Sequence, residues 1–143
     1  DSWALKGNSI LRLIHYPPVA DSSNILRARA HEDINLITLL VGAEESGLEV
    51  KNPDGEWIPI AAKSKSIVCN IGDMMQLVTR SQLKSTSHRV VDHKPSSSAS
   101  RYSMPFFLHP SPEIELCSIV DDSSESISAH DFLEERLRAI KLY

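Results

Sequence analysis

Cysteine is scarce in this 143-residue chain: Cys69 and Cys117 are the two present, too few for a disulfide framework. Both lie in apolar runs typical of strands, and they indicate buried free thiols in a reducing compartment. Long hydrophobic runs are absent, since no window approaches the roughly 20 apolar residues of a membrane-spanning helix. The first ten residues also lack the pattern of a signal peptide. We therefore expect a cytoplasmic protein with no membrane partner.

An excess of positive charge is also missing. Fifteen Lys and Arg residues against 19 Asp and Glu residues leave a formal net charge of −4. Nucleic-acid binders usually present a basic face, so the composition argues against a nucleic-acid partner. Hydrophobic residues make up 41% of the chain and charged residues 24%, as in ordinary globular proteins. The length suits a single domain over residues 1–143 with a sizeable core.

The apolar residues occur in short runs of the β type, separated by turn residues. Residues 47–60 predict a hairpin, because the Pro and Gly of "NPDG" at 52–55 favour a turn. The other predicted strands are 9–16, 34–41, 65–72, 85–92, 101–109 and 113–120, while residues 74–79 fit a strand or one helical turn equally. About eight strands at spacings of roughly ten residues are typical of a sandwich or barrel.

One helix is predicted, at the C-terminal end of the chain. Ser128 is a good N-cap, and Asp131 follows three residues later in the capping-box position. An apolar stripe at helical spacing comes next, formed by Leu133, Leu137 and Ile140. We expect this helix to pack against the sheets and to carry no chemistry. The serine-rich stretch 93–100 is interpreted as a surface connection between two strands.

A histidine and an aspartate, His31 and Asp33, open the apolar stretch 34–41. If residues 31–33 are extended, the two side chains share one face of a strand and Glu32 points the other way. Two His and one carboxylate on one face of a metal form the facial triad of non-haem iron(II) oxygenases. By itself, the pair of His31 and Asp33 is a weak indication of a metal site. The candidates for a third ligand are His15, His88, His93, His109 and His130, of which His88 lies in the half-apolar run "STSHRVV".

A second pair of polar residues at strand spacing is Arg101 and Ser103 in "RYS". The period of two places both on one face of the predicted strand. A guanidinium beside a hydroxyl is a good receptor for a carboxylate, because it offers two charge-assisted hydrogen bonds and a third donor. Alone, this pair is better explained as a surface arginine at a strand start.

Taken together, these motifs resemble one family. In chain order they are "LRLIHYPP", "HED", "GLEVKNPDGEWIPI", "IVCNIGDMMQLVT", "STSHRVV" and "RYSMPFF". This order is similar to that of the isopenicillin N synthase-like iron(II)/2-oxoglutarate-dependent oxygenases, and the resemblance runs from about residue 9 to the end of the predicted helix. It implies a mainly β fold, a double-stranded β-helix or jelly roll, with a C-terminal α-helix.

The resemblance also implies a set of site residues. Three would hold Fe(II): His31, Asp33 and His88. Three would bind 2-oxoglutarate: Arg101 and Ser103 at its distal carboxylate, and Tyr16 of "HYPP" through its hydroxyl. No catalytic residue is expected beyond the metal ligands. Fe(II) and the co-substrate 2-oxoglutarate are the expected cofactors, with ascorbate as a candidate addition.

The function implied by the resemblance is that of a dioxygenase. It would use O2 to oxidise a small organic substrate by hydroxylation, desaturation or cyclisation, with release of succinate and CO2. Two alternatives stay open from the sequence. One is a non-haem iron oxidase of the same family that does not use 2-oxoglutarate, and the other is a jelly-roll binding module without turnover.

Two departures from the family pattern bear on these expectations. Glu32 stands between the first two ligands, where relatives often carry Thr or Ser, and it is expected to face away from the metal. Relatives also carry a long N-terminal region before the motif that lies here at residues 11–18. We expect that region to be missing from this catalytic domain, which would leave apolar surface uncovered and promote self-association.

Overall fold

The computed structural model describes residues 2–18, 26–41, 47–60, 65–91, 100–122 and 125–140, so most of the serine-rich stretch 93–100 lies outside the described residues. The strands that it describes are β1 (Ile10–Leu11), β2 (Ile14–Tyr16), β3 (Leu26–His31), β4 (Ile37–Val41), β5 (Leu48–Lys51), β6 (Trp57–Pro59), β7 (Ile67–Ile71), β8 (His88–Val91), β9 (Arg101–Ser103), β10 (Pro105–Leu108), β11 (Glu115–Cys117) and β12 (Ser126–Ser128). The helices are α1 (Asp73–Val78) and α2 (Ala129–Ala139).

The strands form two four-stranded antiparallel sheets that face each other across a cavity. We call β1-β10-β4-β7 the first sheet and β3-β8-β5-β6 the second sheet. Thr38 and Asn70 line the cavity from the first sheet, and His88 and Val90 line it from the second. Two smaller pairs, β2–β9 and β11–β12, complete the described strands. The fold is therefore the mainly β jelly roll with a C-terminal helix that the resemblance implied.

Alternation along β4 and β7 decides which side chains reach this cavity. Thr38 lies directly opposite Asn70, and both face inward. Leu39 lies opposite Cys69, and both are exposed on the outer face of the first sheet. The predicted burial of the thiols is therefore wrong for Cys69, because its position in the alternation turns it outward. Cys117 is half-buried, and both cysteines are free.

Two runs that were predicted as single strands are each divided in two. Residues 9–16 contain β1 and β2, and residues 101–109 contain β9 and β10 with Met104 between them. The β9 strand pairs with β2, whereas β10 lies between β1 and β4 in the first sheet. Each run thus passes from one sheet to another, a bend that an unbroken apolar pattern does not reveal.

The sequence prediction missed two strands and left one element open. The β3 strand has the sequence LRARAH, whose lack of β-branched and aromatic residues gives it a low strand propensity. It forms through pairing with β8, with two register shifts along its length. The short polar strand β12 was also missed and pairs with β11. The ambiguous residues 74–79 lie mostly in a helix, α1.

The main hydrophobic cluster lies where α1, β11 and α2 meet the start of β4. Its buried members are Leu36, Met74, Val78, Leu116 and Ala129. Burial of side chains of this size is the dominant favourable term in folding. Because Leu36 follows the candidate ligand Asp33 by three residues, this cluster also anchors one side of the candidate site.

The C-terminal helix begins as predicted. The Ser128 hydroxyl accepts a hydrogen bond from the backbone N–H of Asp131 at 3.0 Å, which is an N-cap interaction. One helical turn apart on α2, Arg138 donates to Glu134 at 3.4 Å. Within the part of the chain that the structure describes, neither helix is long and apolar enough to cross a lipid bilayer.

Candidate active site

The pairing of β3 with β8 brings two of the predicted ligands side by side. His31 lies directly opposite His88, and their ring centroids are 4.3 Å apart. The β3 strand ends at His31, so Asp33 lies in the connection to β4 and not in an extended strand. The ligand atoms of His31 and Asp33 nevertheless lie within 4.8 Å of each other.

Both histidine rings are oriented by a backbone carbonyl two residues earlier in the chain. The Nδ1 atom of His31 lies 2.7 Å from the carbonyl oxygen of Arg29, and that of His88 lies 3.1 Å from the carbonyl oxygen of Thr86. A carbonyl can only accept a hydrogen bond, so each Nδ1 carries the proton and donates it. In the neutral ring, Nε2 then carries the lone pair that can bind a metal.

These two Nε2 atoms point at the carboxylate of Asp33. They lie 4.0 Å (His31) and 3.7 Å (His88) from Asp33 Oδ1, and one ligand atom of each residue falls within 4.8 Å of the others. Asp33 is 7% exposed, and its Oδ2 is buried without a hydrogen-bond donor among the described residues. A buried carboxylate oxygen in this state is costly unless a cation is nearby. Glu32 is exposed and contributes no atom to the group.

The start of α1 holds the backbone around Asp33. The Asp73 N–H donates to the Asp33 carbonyl at 2.8 Å, and the Gly72 N–H donates to the Leu36 carbonyl at 2.9 Å. Gly72 comes so close that a Cβ there would lie 2.0 Å from the backbone oxygen of Asn35. Glycine is therefore required at this position for the two segments to approach.

The other end of the cavity is formed by the small β2–β9 pair. Arg101 and Ser103 are each 9% exposed and point inward, whereas Tyr102 between them is 61% exposed. Tyr16 lies directly opposite Arg101, and the guanidinium carbon is 5.2 Å from the centre of the Tyr16 ring. Strand alternation here gives the predicted arrangement of Arg101 and Ser103.

The Arg101 guanidinium is buried, and some of its hydrogen-bond donors are unpaired. Its Nε and Nη1 atoms have no acceptor among the described residues. Buried donors are normally paired, and a buried cation without an anionic partner is strongly unfavourable. This end of the cavity therefore has the chemistry of an anion site.

All six predicted site residues line one cavity of about 570 Å³ between the sheets: Tyr16, His31, Asp33, His88, Arg101 and Ser103. Their individual roles stay predictions. Further polar residues that were not predicted line the same cavity, among them Thr38 and Asn70. Asn70 could have been found from the sequence, because it is an amide in the otherwise apolar run 67–71. An amide side chain is unexpected in a dry core.

The remaining candidate histidines that the structure describes do not belong to the ligand group. His15 is exposed, stacks on Tyr102 and lies 2.9 Å from the Ser100 hydroxyl. His130 is exposed on α2, and His93 lies outside the described residues. His109 is half-buried; burial lowers its pKa below the ordinary histidine value, and the negative charge of Asp33 partly opposes that effect.

A second cavity, of about 610 Å³, adjoins His31 and Asp33. Apolar side chains contribute much of its wall, among them Ile10, Phe107 and the α2 stripe Leu133, Leu137 and Ile140. Its charged lining residues are Arg12, Glu32, Asp33, Asp73 and Arg136. The candidate ligands His31 and Asp33 line both cavities and so stand between them.

Comparison with known proteins agrees with this geometry. Residues 7–110 match the 2OG-Fe(II) oxygenase superfamily. A 2-oxoglutarate-dependent dioxygenase of Didymella fabae is 34% identical over 134 residues, which cover 86% of this chain and 40% of that protein. The 2-oxoglutarate-dependent dioxygenase citB of Monascus ruber is 42% identical over 103 residues, covering 68% of this chain and 30% of the relative.

Solved structures give the same result. A 2OG-Fe(II) oxygenase family protein from Caulobacter crescentus matches 98% of this chain and 48% of its own, with 47% identity and a TM-score of 0.89. A full-length Neurospora crassa protein, crystallised in complex with alpha-KG and thymine, is 32% identical with a TM-score of 0.88, over 98% of this chain and 46% of that one. The chain spans about half the length of these two structures and less of the two relatives above. The chain therefore belongs to the 2OG-Fe(II) oxygenase superfamily, a group of oxidoreductases whose cofactors are Fe(II) and 2-oxoglutarate.

Proposed function

We propose that the protein carrying this chain is an Fe(II)- and 2-oxoglutarate-dependent dioxygenase that oxidises a small organic substrate, releasing succinate and CO2. In this proposal His31, Asp33 and His88 hold the iron, and Arg101, Ser103 and Tyr16 hold 2-oxoglutarate. The observation that carries it is a pair of unsatisfied buried groups of opposite charge in one cavity: the Asp33 carboxylate oxygen and the Arg101 guanidinium.

The carboxylate end fits a divalent iron. Two neutral imidazole nitrogens and one carboxylate oxygen on one side of the ion form the two-His-one-carboxylate set of non-haem Fe(II) oxygenases. That set leaves coordination positions for a co-substrate and O2. A cation here would also supply the partner that the buried Asp33 Oδ2 lacks.

The guanidinium end fits a dicarboxylate. Arg101 offers two unpaired N–H groups, Ser103 lies beside it on the same face, and the Tyr16 ring packs against the guanidinium. A planar guanidinium can donate two parallel hydrogen bonds to one carboxylate from adjacent N–H groups. One carboxylate of 2-oxoglutarate at Arg101 would leave its other end free to reach toward the ligand group in the same cavity.

When bound, Fe(II) with 2-oxoglutarate supplies O2 activation and couples substrate oxidation to decarboxylation of 2-oxoglutarate. The residues of the chain position and shield these groups. The carbonyls of Arg29 and Thr86 orient the two imidazoles, and the start of α1 holds the backbone of Asp33. The two sheets form opposite walls of the cavity.

We propose that the substrate enters the second cavity. Its size suits a small molecule, apolar side chains form much of its wall, and it adjoins His31 and Asp33 without being lined by Arg101. Hydroxylation, desaturation and cyclisation differ in the fate of the substrate after oxidation at a C–H bond. Product analysis by mass spectrometry distinguishes a gain of oxygen from a loss of two hydrogens.

The test of the proposed function is succinate release by the intact protein supplied with Fe(II), 2-oxoglutarate and O2. We expect slow succinate formation without substrate and faster formation with an accepted one. Substrate oxidation without succinate would instead support the 2-oxoglutarate-independent oxidase. A protein that binds neither iron nor 2-oxoglutarate stoichiometrically would support the alternative of a jelly-roll binding module without turnover.

We also propose that the chain self-associates through the outer face of the first sheet. Val41 and Ile67 lie directly opposite each other there and are 53% and 62% exposed, and Leu39 beside them is 38% exposed. Light scattering on the isolated chain should show oligomers that are reduced by Val41→Lys and unaffected by Ile119→Lys, a change at another exposed apolar position. A monodisperse monomer would contradict this.

Cytoplasmic localisation stays a prediction that the two free thiols support.

A further inference from the structure

A short chain of polar contacts joins the C-terminal helix to the candidate iron centre. Arg136 of α2 forms an ion pair with Asp73, the first residue of α1. The Asp73 side chain is 6% exposed, whereas that of Arg136 is 43% exposed. A buried carboxylate needs a charge partner, and here α2 supplies it from 63 positions away in the sequence.

The same Asp73 is in direct contact with the candidate ligand segment. Its backbone N–H donates to the carbonyl of Asp33 at 2.8 Å, and Gly72 and Met74 on either side donate to carbonyls of residues 34–36. Three consecutive residues at the start of α1 therefore hold the backbone of Asp33 and of the three residues that follow it. A shift of Asp73 moves this backbone with it.

We infer that Arg136 is a positioning residue for the iron centre, acting through Asp73 on the backbone of Asp33. The inference rests on the proposed function, because it concerns an Asp33 that binds iron. His31 and His88 are oriented through their own rings by carbonyl partners, but Asp33 Oδ2 has no such partner among the described residues. Asp33 also lies outside the described strands, and the Asp73 N–H contacts its backbone carbonyl directly.

If the ion pair of Arg136 with Asp73 were purely structural, a different result would be expected. It would stabilise the fold against unfolding and leave metal binding by the folded protein unchanged. The two cases separate when metal affinity and thermal stability are measured on the same variants of the intact protein. Co(II) is a suitable probe, because its visible spectrum reports coordination geometry without any turnover.

The variants are Arg136→Met, Asp73→Asn and the double variant. Arg138→Met is the matched control, since Arg138 is on the same helix and pairs with Glu134 instead. We expect each single variant to weaken Co(II) binding roughly tenfold, the lower end of the range for outer-shell partners of metal ligands, and to change the Co(II) spectrum. The double variant should be no worse than either single one, because both break the same link. Arg136→Lys should recover most of the affinity.

Arg136→Met with wild-type Co(II) affinity and spectrum would overturn the inference, even if its unfolding temperature fell. Additive losses in the double variant would overturn the route through Asp73. If Arg136→Met does not fold, the nearly isosteric Asp73→Asn carries the same measurement. If the wild-type protein itself does not bind Co(II), the proposed function fails and this inference falls with it, whereas tight wild-type binding with insensitive variants rejects the inference alone.

Discussion

The two ends of the cavity between the sheets need opposite partners and are built in different ways. The carboxylate end is assembled from β3, the β3–β4 connection and β8, so its ligands come from places 55 positions apart. The guanidinium end is one antiparallel pair, β2–β9, in which Tyr16 stands opposite Arg101. The carboxylate end therefore depends on several tertiary contacts, while the guanidinium end depends on the register of two short strands.

The largest effect is expected at the carboxylate end. Asp33→Asn should weaken Fe(II) or Co(II) binding by more than about 100-fold, beyond the loss typical of outer-shell partners, because it removes the charged ligand itself. Isothermal titration of metal into the intact protein measures this. Glu32→Gln is the matched control, since it removes a neighbouring carboxylate that is exposed and outside the ligand group. Equal losses of metal affinity in the two variants would contradict the assignment of Asp33, and not Glu32, as the ligand.

A smaller and more selective effect is expected at the guanidinium end. Arg101→Lys keeps the charge but loses the planar fork, so the KM for 2-oxoglutarate should rise by about 10- to 100-fold, since hydrogen bonds to charged groups contribute roughly 1.5–3 kcal/mol. Metal affinity without 2-oxoglutarate should not change. Succinate assays at varied 2-oxoglutarate measure the KM, and Arg89→Lys, at an arginine that pairs with Glu49, is the control. An unchanged KM would show that Arg101 is not the anion site.

The smallest effect is expected for His109, which lines the second cavity. It is a change in how the free energy of unfolding depends on pH. The pKa of His109 is lowered chiefly by burial, so below about pH 6.5 the unfolded chain takes up a proton at this position that the folded chain resists. The free energy of unfolding should therefore fall as the pH drops from about 6.5 toward the lowered pKa, and His109→Gln should remove that part of the loss.

Urea unfolding of the metal-free protein at about pH 7.5 and about pH 5.5 measures the pH effect. His130→Gln, at an exposed histidine on α2, is the control and should keep the wild-type dependence. An equal pH dependence in His109→Gln and wild type would contradict the assignment to His109.

Local signals in the sequence were enough for the alternation of side chains along β9 and for the start of α2. Arg101, Tyr102 and Ser103 follow strand alternation, and Ser128 with Asp131 forms a capping interaction as predicted. Both depend on residues a few positions apart, where local geometry dictates the outcome.

Features that depend on distant contacts could not be predicted in the same way. The β3 strand lacks strand-forming residues and exists through its pairing with β8. The hydrogen bond from the Asp73 N–H to the Asp33 carbonyl joins residues 40 positions apart and has no local signal either. The ion pair of Arg136 with Asp73 has no local signal, and α2, expected to be packing alone, carries it.

The most direct test of the account is anaerobic titration of 2-oxoglutarate into the intact protein with Fe(II), followed by the visible charge-transfer band of an Fe(II)–2-oxoglutarate chelate. We predict a saturable band in the wild type, no band in Asp33→Asn, and a band in Arg101→Lys that requires more 2-oxoglutarate. A wild-type protein without this band, or an Asp33→Asn variant that develops it with wild-type affinity, would contradict the claim that the cavity between the sheets holds iron at one end and 2-oxoglutarate between iron and Arg101.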